Sequence, residues 1–438
     1  MAKSLHILGY CIALLIASSG QTTAQSIITS KPLPPSQDPW YIAPENYTAA
    51  VPGDILRLRE APGDLCSIVA NCSAAWNILY RTTDNDQSAT WAVTTLLAPP
   101  IEYSSTSSKK ALNKALLSYQ LAIDSPAVDQ QPSYLLYTPN ATDQWVDFTA
   151  ALGRGWFVSV PDYESTKAAF GAPFLEGQAT LDNIRAVLNL ARARPDIGLA
   201  GGEDVRCAVW GYSGGSIASE WAVELQGLYA PELPLAGAVL GGLVPNFTTV
   251  FYEIDGTVWA GDIPAGVVGV TVEDAAARAF VLSRLKTTGP YNATTFLSVL
   301  NNSVTENFAV FAGQNISDYF VGGVADMFAP ILLDLYNAGQ MGLHGRPGVP
   351  LFLYKAIADE FTPIYQTDEL VAQFCAEGVD VLYERNTVGE HVSELANGHT
   401  RALDYLSMVF EATIGDLYRN QSCIVRNVSV VDSTGAVL

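Results

Sequence analysis

The residues best suited to chemistry lie in Gly211-Tyr212-Ser213-Gly214-Gly215, a G-x-S-x-G pentapeptide near the middle of the chain. A serine hydroxyl is a poor nucleophile until a neighbouring base takes its proton, and that base needs an acid to hold its tautomer and orientation. The glycines answer a steric problem, because a serine on a strained strand-to-helix turn leaves no room for side chains beside it. Alone, the pentapeptide carries little weight, since a chain rich in Gly and Ser produces it by accident. Its flanks strengthen it. Cys207-Ala208-Val209-Trp210 reads as a buried strand, and Ser216 to Gln226 carries apolar residues at helical spacing.

In this kind of fold the acid and then the histidine follow the serine, each on a loop after a later strand. Asp359 meets the first condition, standing just past the strand-like run Leu351 to Lys355 and before the helical pattern Pro363 to Glu377. Histidine is scarce, which sharpens the second condition: beyond the N-terminal segment there are only His344, His391 and His399. His344 precedes the acid's strand and falls in the wrong interval. His399 lies eight residues into the helix expected after His391, where a solvent-facing position is predicted. His391, in Gly389-Glu390-His391, is therefore the base expected. Gly214, following the nucleophile, should offer its N–H to a developing oxyanion. The second donor belongs on the loop Gln120 to Ser125, where spacing alone selects no residue.

The elements that must hold these residues are legible as short runs. Asn77 to Thr82 and Thr90 to Leu97 alternate apolar and polar residues, as half-buried antiparallel strands do. Ala115 to Tyr119, Trp156 to Val160, Cys207 to Trp210, Leu235 to Leu240, Leu351 to Lys355 and Val379 to Glu384 are mostly apolar, as buried parallel strands should be. With helical patterns over Ala179 to Ala193, Ser216 to Gln226 and Pro363 to Glu377, they predict an α/β fold, a mostly parallel sheet flanked by helices. Residues 25 to 60 are proline-rich and aperiodic, and read as an irregular lead-in. One connection is too long: Pro245 and Gly348 stand about a hundred residues apart, where a crossover takes a few tens. Ala275 to Leu285 and Tyr319 to Leu335 are its clearest helical stretches, and it reads as a cap. The expected organisation is a signal peptide at 1–24, core at 25–245, helical cap at 246–348, and core with C-terminal tail at 349–438.

Composition narrows the setting. The 438 residues are 49% hydrophobic and 15% charged, enough to bury a large core. A net charge of −21 repels nucleic acid, so no nucleic-acid partner is expected. Lys3 followed by the apolar run Ile7 to Ala17 and small residues to Ala24 has a signal-peptide layout, and the run is about half the ~20 residues of a spanning helix. Nine N-x-S/T sequons, at Asn46, Asn71, Asn140, Asn246, Asn292, Asn301, Asn315, Asn420 and Asn427, fit an extracellular glycoprotein. Among the cysteines, Cys66 with Cys72 would close a short loop and Cys375 with Cys423 would tie the tail to a late helix. Cys207 is left over as an inert core thiol. No H-E-x-x-H pair, P-loop or Rossmann fingerprint occurs, and no metal or cofactor is implied.

Leu117-Ser118-Tyr119-Gln120 with Asp124-Ser125, Gly155 to Glu164, Gly211 to Gly215, Asp359-Glu360 and Glu390-His391 together resemble the fungal secretory lipase family of the Candida antarctica lipase A type. The resemblance spans about residues 40 to 425. It implies an α/β-hydrolase fold, Asp124 as the second oxyanion donor, and a mainly helical cap over an acyl-binding tunnel. Several members join the loop after Asp124 to the cap by a disulfide, whereas here residues 121 to 135 and the insertion lack cysteine. The Cys375 and Cys423 pair matches a family bridge.

These readings converge on a secreted, monomeric carboxylic-ester hydrolase acting through an acyl-enzyme on a hydrophobic ester, with a lipid–water interface as one place of action. The resemblance favours a lipase. An esterase, deacylase or acyltransferase acting on a fungal specialised metabolite is the alternative, because an apolar cap suits either substrate. A hydrolase-fold binding module without activity is the alternative of another class, and a peptidase would share the same triad.

Overall fold

The computed structural model describes residues 32–100, 113–138, 144–202 and 204–431; the expected signal peptide and Asn140 lie outside them. Ten strands are present: β1 (Ile55–Glu60), β2 (Ala74–Thr83), β3 (Ala89–Ala98), β4 (Ala115–Gln120), β5 (Phe157–Pro161), β6 (Arg206–Tyr212), β7 (Leu235–Gly241), β8 (Leu351–Ala356), β9 (Val381–Asn386) and β10 (Cys423–Val428). They form one sheet in the order β1-β2-β3-β5-β4-β6-β7-β8-β9-β10. From β5 to β10 neighbouring strands are parallel, and β1, β2 and β3 extend the sheet as antiparallel neighbours.

Both faces of the parallel region are covered, which is why its strands read as unbroken apolar runs. Helices Pro173–Ala193 and Gly214–Tyr229 bury Val187, Leu190, Ile217 and Trp221 against one face. Helices Trp145–Gly153 and His391–Phe410 bury Phe148, Tyr405 and Leu406 against the other. Ser213 thus lies at the carboxyl end of a central strand, with the helix it introduces packed beneath.

Two expectations about the edges need correction. Part of the supposedly irregular lead-in is β1, whose Arg57, Arg59 and Glu60 interrupt the apolar pattern because it is an outer strand with a bulge between Ile55 and Arg57. At the opposite edge β10, absent from the sequence reading, pairs parallel with β9 and is largely exposed. The disulfide Cys375–Cys423 ties β10 to the helix Ile364–Ala376, and a second disulfide joins Cys66 and Cys72. Nor are β2 and β3 merely half-buried. Trp40 and Tyr41 of the lead-in cover Leu79 and Val93 on the outer face.

Between β7 and β8 the chain forms helices Phe247–Ile254, Asp262–Val270, Ala275–Arg284, Val304–Phe311 and Pro330–Ala338, with shorter turns. Local signals start several of them: Asn246 and Asp274 accept from first-turn N–H groups, and Ser303 with Glu306 makes a capping box. Tyr319 to Leu335 is not one helix, as its periodicity suggested. Gly322, Gly323 with φ +59° and Pro330 split it into a turn, the short helix Val324–Met327 and Pro330–Ala338. Phe251, Ile263, Val267 and Phe311 bury their side chains in the same core as Trp221.

Among the described sequons, Asn46, Asn71, Asn301, Asn315, Asn420 and Asn427 are exposed, while Asn246 and Asn292 are half-buried helix caps. Cys207 is a free, fully buried thiol of β6 whose pKa burial pushes up to about 12.

Candidate active site

The turn at Ser213 takes its shape from the two elements it joins. β6 ends at Tyr212, the helix starts at Gly214, and Ser213 between them adopts φ +52° and ψ −124°, costing about 1–3 kcal/mol for a residue with a side chain. The surroundings over-determine that conformation. Ser213 N–H donates to the Gly241 carbonyl at 3.0 Å, and its own carbonyl accepts from Ser216 N–H at 2.8 Å and Ser216 Oγ at 2.6 Å. A β-carbon on Gly211 would strike the Gly215 carbonyl, and one on Gly215 would strike the Gln120 carbonyl, so the glycines permit a close backbone crossing.

The tertiary fold brings the expected partners to this serine. His391 Nε2 lies 2.8 Å from Ser213 Oγ, and its Nδ1 lies 2.8 Å from Asp359 Oδ2. His391 opens its helix, and its position is fixed on several sides. Its N–H donates to Glu360 at 2.7 Å, its carbonyl accepts from Tyr212 OH at 2.5 Å, and its ring stacks on Phe361 with centroids 5.1 Å apart. Asp359 Oδ1 accepts from the N–H groups of Phe361 at 3.0 Å and Thr362 at 2.7 Å.

Lys355, counted in the sequence only as a strand residue, belongs to this site. Its Nζ lies 3.1 Å from Asp359 Oδ2 and donates to the Leu243 carbonyl at 2.8 Å and to Thr362 Oγ1. Burial by itself raises the Asp359 pKa. The charges of His391 and Lys355, with the hydrogen bonds from His391 and Thr362, outweigh burial and hold this carboxyl well below the usual range. Lys355 pays for its position in the opposite direction: burial lowers its pKa, and Asp359 pulls it back up.

Asp124 and Gly214 face one another. Asp124 has φ +47°, and a β-carbon on Gly214 would strike Asp124 Oδ1. That oxygen is buried without a hydrogen-bond partner, although the residue as a whole is only half-buried. Burial raises the Asp124 pKa to about 6, partly opposed by His391. Below this loop a polar network holds β4 to its neighbours. Gln120 donates to Ser118 Oγ and accepts from Ser219 Oγ, while Asn183 donates to Ser118 and Ser159. No sequence motif marked these residues, because they are brought together from two strands and two helices.

His399 is not solvent-facing. It is buried, and its Nδ1 lies 2.6 Å from Asp147, whose other oxygen accepts from Tyr119 OH at 2.7 Å. An eight-residue step along a helix returns to the same broad stripe, so His399 enters the core on the face that also carries His391. His344 lies apart from Ser213, against the rings of Phe174 and Trp221. Among the described residues no group of carboxylate, histidine and cysteine side chains is arranged to hold a metal.

A mostly parallel sheet with a strained serine at the end of a central strand and helices on both faces defines an α/β-hydrolase fold. The chain belongs to the secretory lipase family, whose sequence pattern matches residues 137–414. It is 45% identical to a trichothecene C-3 esterase of Fusarium sporotrichioides, over 99% of this chain and 95% of that one. It is 33% identical to lipase A of Arthroderma benhamiae, over 88% and 82% of the two chains. The crystal structure of Candida antarctica lipase A superposes with a TM-score of 0.78 at 26% identity, covering 93% of this chain and 92% of that one. The protein is a carboxylic-ester hydrolase, and its substrates are hydrophobic esters. No helix among the described residues is long and apolar enough to cross a membrane.

Proposed function

We propose that Ser213, His391 and Asp359 are the catalytic triad of an extracellular esterase whose substrate is the ester of a hydrophobic specialised metabolite, of the trichothecene kind, rather than triacylglycerol. The observation that carries the chemistry is the continuous path Asp359 Oδ2, His391 Nδ1, His391 Nε2, Ser213 Oγ, with both gaps at 2.8 Å. The substrate class is supported by 45% identity to the trichothecene C-3 esterase against 33% to lipase A of Arthroderma benhamiae.

His391 accepts the Ser213 proton as Oγ attacks the ester carbonyl, and Asp359, kept ionised, stabilises the imidazolium that forms. The Gly214 and Asp124 N–H groups receive the oxyanion. Collapse of the tetrahedral intermediate expels the alcohol, which takes its proton from His391 and leaves an acyl-Ser213. Water, deprotonated by the same histidine, releases the acid. Residues 246–348 act as the cap that selects the substrate, and the exposed sequons carry glycans on a secreted monomer.

A fluorophosphonate probe should label Ser213 in the wild type and fail on Ser213→Ala, whose kcat falls by about 10⁴-fold or more. Acetate esters of terpenoid alcohols should be cleaved faster than emulsified long-chain triacylglycerol. An unlabelled, folded wild type would remove the enzymatic role of Ser213, and the opposite substrate order would restore the lipase reading.

A further inference from the structure

The segment between β7 and β8 touches both sides of the Ser213 site. On the oxyanion side, Ser125 Oγ, next to Asp124, donates to the Asn302 carbonyl at 2.6 Å. On the histidine side, Trp259 packs edge-on against both Phe308 and Phe361, and Phe361 stacks on His391. Between these ties, helices Asp262–Val270 and Val304–Phe311 meet where Gly261 lies so close to the Asn307 backbone that a β-carbon would collide with it.

This junction is otherwise apolar, with Ile263, Val267 and Phe311 buried around it. Yet Asn307 is 0% exposed and neither its amide nitrogen nor its oxygen has a hydrogen-bond partner. Asp262, 5% exposed, leaves Oδ1 unpartnered, and so does Asp124 across the site. Native proteins rarely leave such groups unpaired, because each forfeits its hydration without return. Asn307 and Asp262 both belong to the segment between β7 and β8, meet at the Gly261–Asn307 crossing, and lie close enough to Asp124 for its charge to act on Asp262. Resting on the esterase reading above, we propose that Asn307 and Asp262 form a polar subsite for hydroxyl or ether oxygens on the alcohol part of the ester.

The chemistry of the pair suits such oxygens. The amide both donates and accepts. Burial, reinforced by the charge of Asp124, raises the Asp262 pKa well above the usual carboxylate range, which favours the protonated form, able to donate as well as accept. The alcohol part of a triacylglycerol carries ester oxygens that accept but cannot donate, and its hydrocarbon tails offer nothing to the acceptor atoms of the pair. A site built to hydrogen-bond a substrate discriminates strongly against an analogue lacking the bond. The groups are sealed from solvent in this conformation, so substrate reaches them when the segment parts from the Ser125 loop, to which Ser125–Asn302 is a non-covalent tie.

The test compares two acetate esters of one polycyclic terpenoid alcohol, with and without extra hydroxyl and ether oxygens. Wild type should favour the oxygenated ester in kcat/KM by about tenfold or more, the scale of one or two good hydrogen bonds. Asn307→Leu should bring that ratio close to unity. Asp262→Ala, which removes donor and acceptor, should lower it, whereas Asp262→Asn, which keeps both, should retain it; the pair serves as the second test where the leucine compromises folding, judged by thermal melting and fluorophosphonate labelling. Equal wild-type rates, or an unchanged ratio in folded Asn307→Leu or Asp262→Ala, would overturn the subsite while leaving the esterase reading intact. A wild type that cleaves neither ester and takes no probe would instead overturn that reading, and the subsite with it.

Discussion

Lys355 Nζ lies 3.1 Å from Asp359 Oδ2, the same oxygen that meets His391 Nδ1 at 2.8 Å. The lysine side chain is 1% exposed and the aspartate 0%, so both charges are desolvated and each depends on the other. Removing the lysine leaves the buried Asp359 with only His391 and the N–H groups of Phe361 and Thr362, a loss worth up to about 3–5 kcal/mol. Lys355→Met should therefore lower stability by up to that amount in chemical denaturation, and should lower kcat by loosening the hold on Asp359. Unchanged stability with unchanged kcat would show the ion pair to be dispensable.

The depressed pKa of Asp359 has a defined pH signature. Its unfolded-state pKa is about 3.9, so its stabilising contribution is fully present above that value and is lost as pH falls through the lower folded value. The stability difference between wild type and Asp359→Asn should shrink as pH falls below about 4. Denaturation series at several pH values measure it, and a difference that already shrinks near pH 6 contradicts the assignment.

Asp124 should behave in the opposite sense. With a folded pKa raised to about 6 by burial, it binds its proton more tightly in the folded state, so stability declines as pH rises from about 4 to about 6. Ionised there, beside Gly214, it also opposes negative charge on the substrate oxygen. Activity should fall as pH passes about 6, and Asp124→Asn, which keeps the backbone N–H and tolerates positive φ, should flatten that fall several-fold by pH 8. A pH–rate profile unaltered by the substitution would rule the carboxyl out as its cause.

His399 and Asp147 are predicted to matter for stability and not for turnover. His399→Leu leaves Asp147 buried with only Tyr119 as partner and should cost about 3–5 kcal/mol, most of it recovered when Asp147 is also made apolar. Active-site titration would report kcat per folded molecule close to wild type. Strict additivity of the two substitutions would deny the pairing.

The disulfide Cys375–Cys423 closes a loop of 48 residues and fastens the exposed edge strand β10. Replacing both cysteines by serine should reduce stability by about 2–4 kcal/mol, with hydrogen exchange quickening first along β10.

Sequence alone singled out Ser213, Asp359 and His391 as candidates, which the fold brings within 2.8 Å of one another in turn, because a strained strand-to-helix turn and two strand-end loops impose residue types and chain order that survive in one dimension. It also determined the buried strands of the parallel region, since burial on both faces demands continuous apolar runs such as Phe352 and Leu353 in β8. The edge strands β1 and β10 escaped, because exposed strands carry arginine and asparagine and lose the apolar signal.

Only the tertiary structure decided what surrounds the three site residues. Lys355 looks like any strand lysine until β7, β8 and the Asp359 loop close around its ammonium group. His399 looks like a surface histidine until Asp147, 252 positions away, meets it. Asn307, Asp262 and Asp124 share no spacing at all. Their unpaired polar atoms are buried only because the helices between β7 and β8 and the loop after β4 pack together.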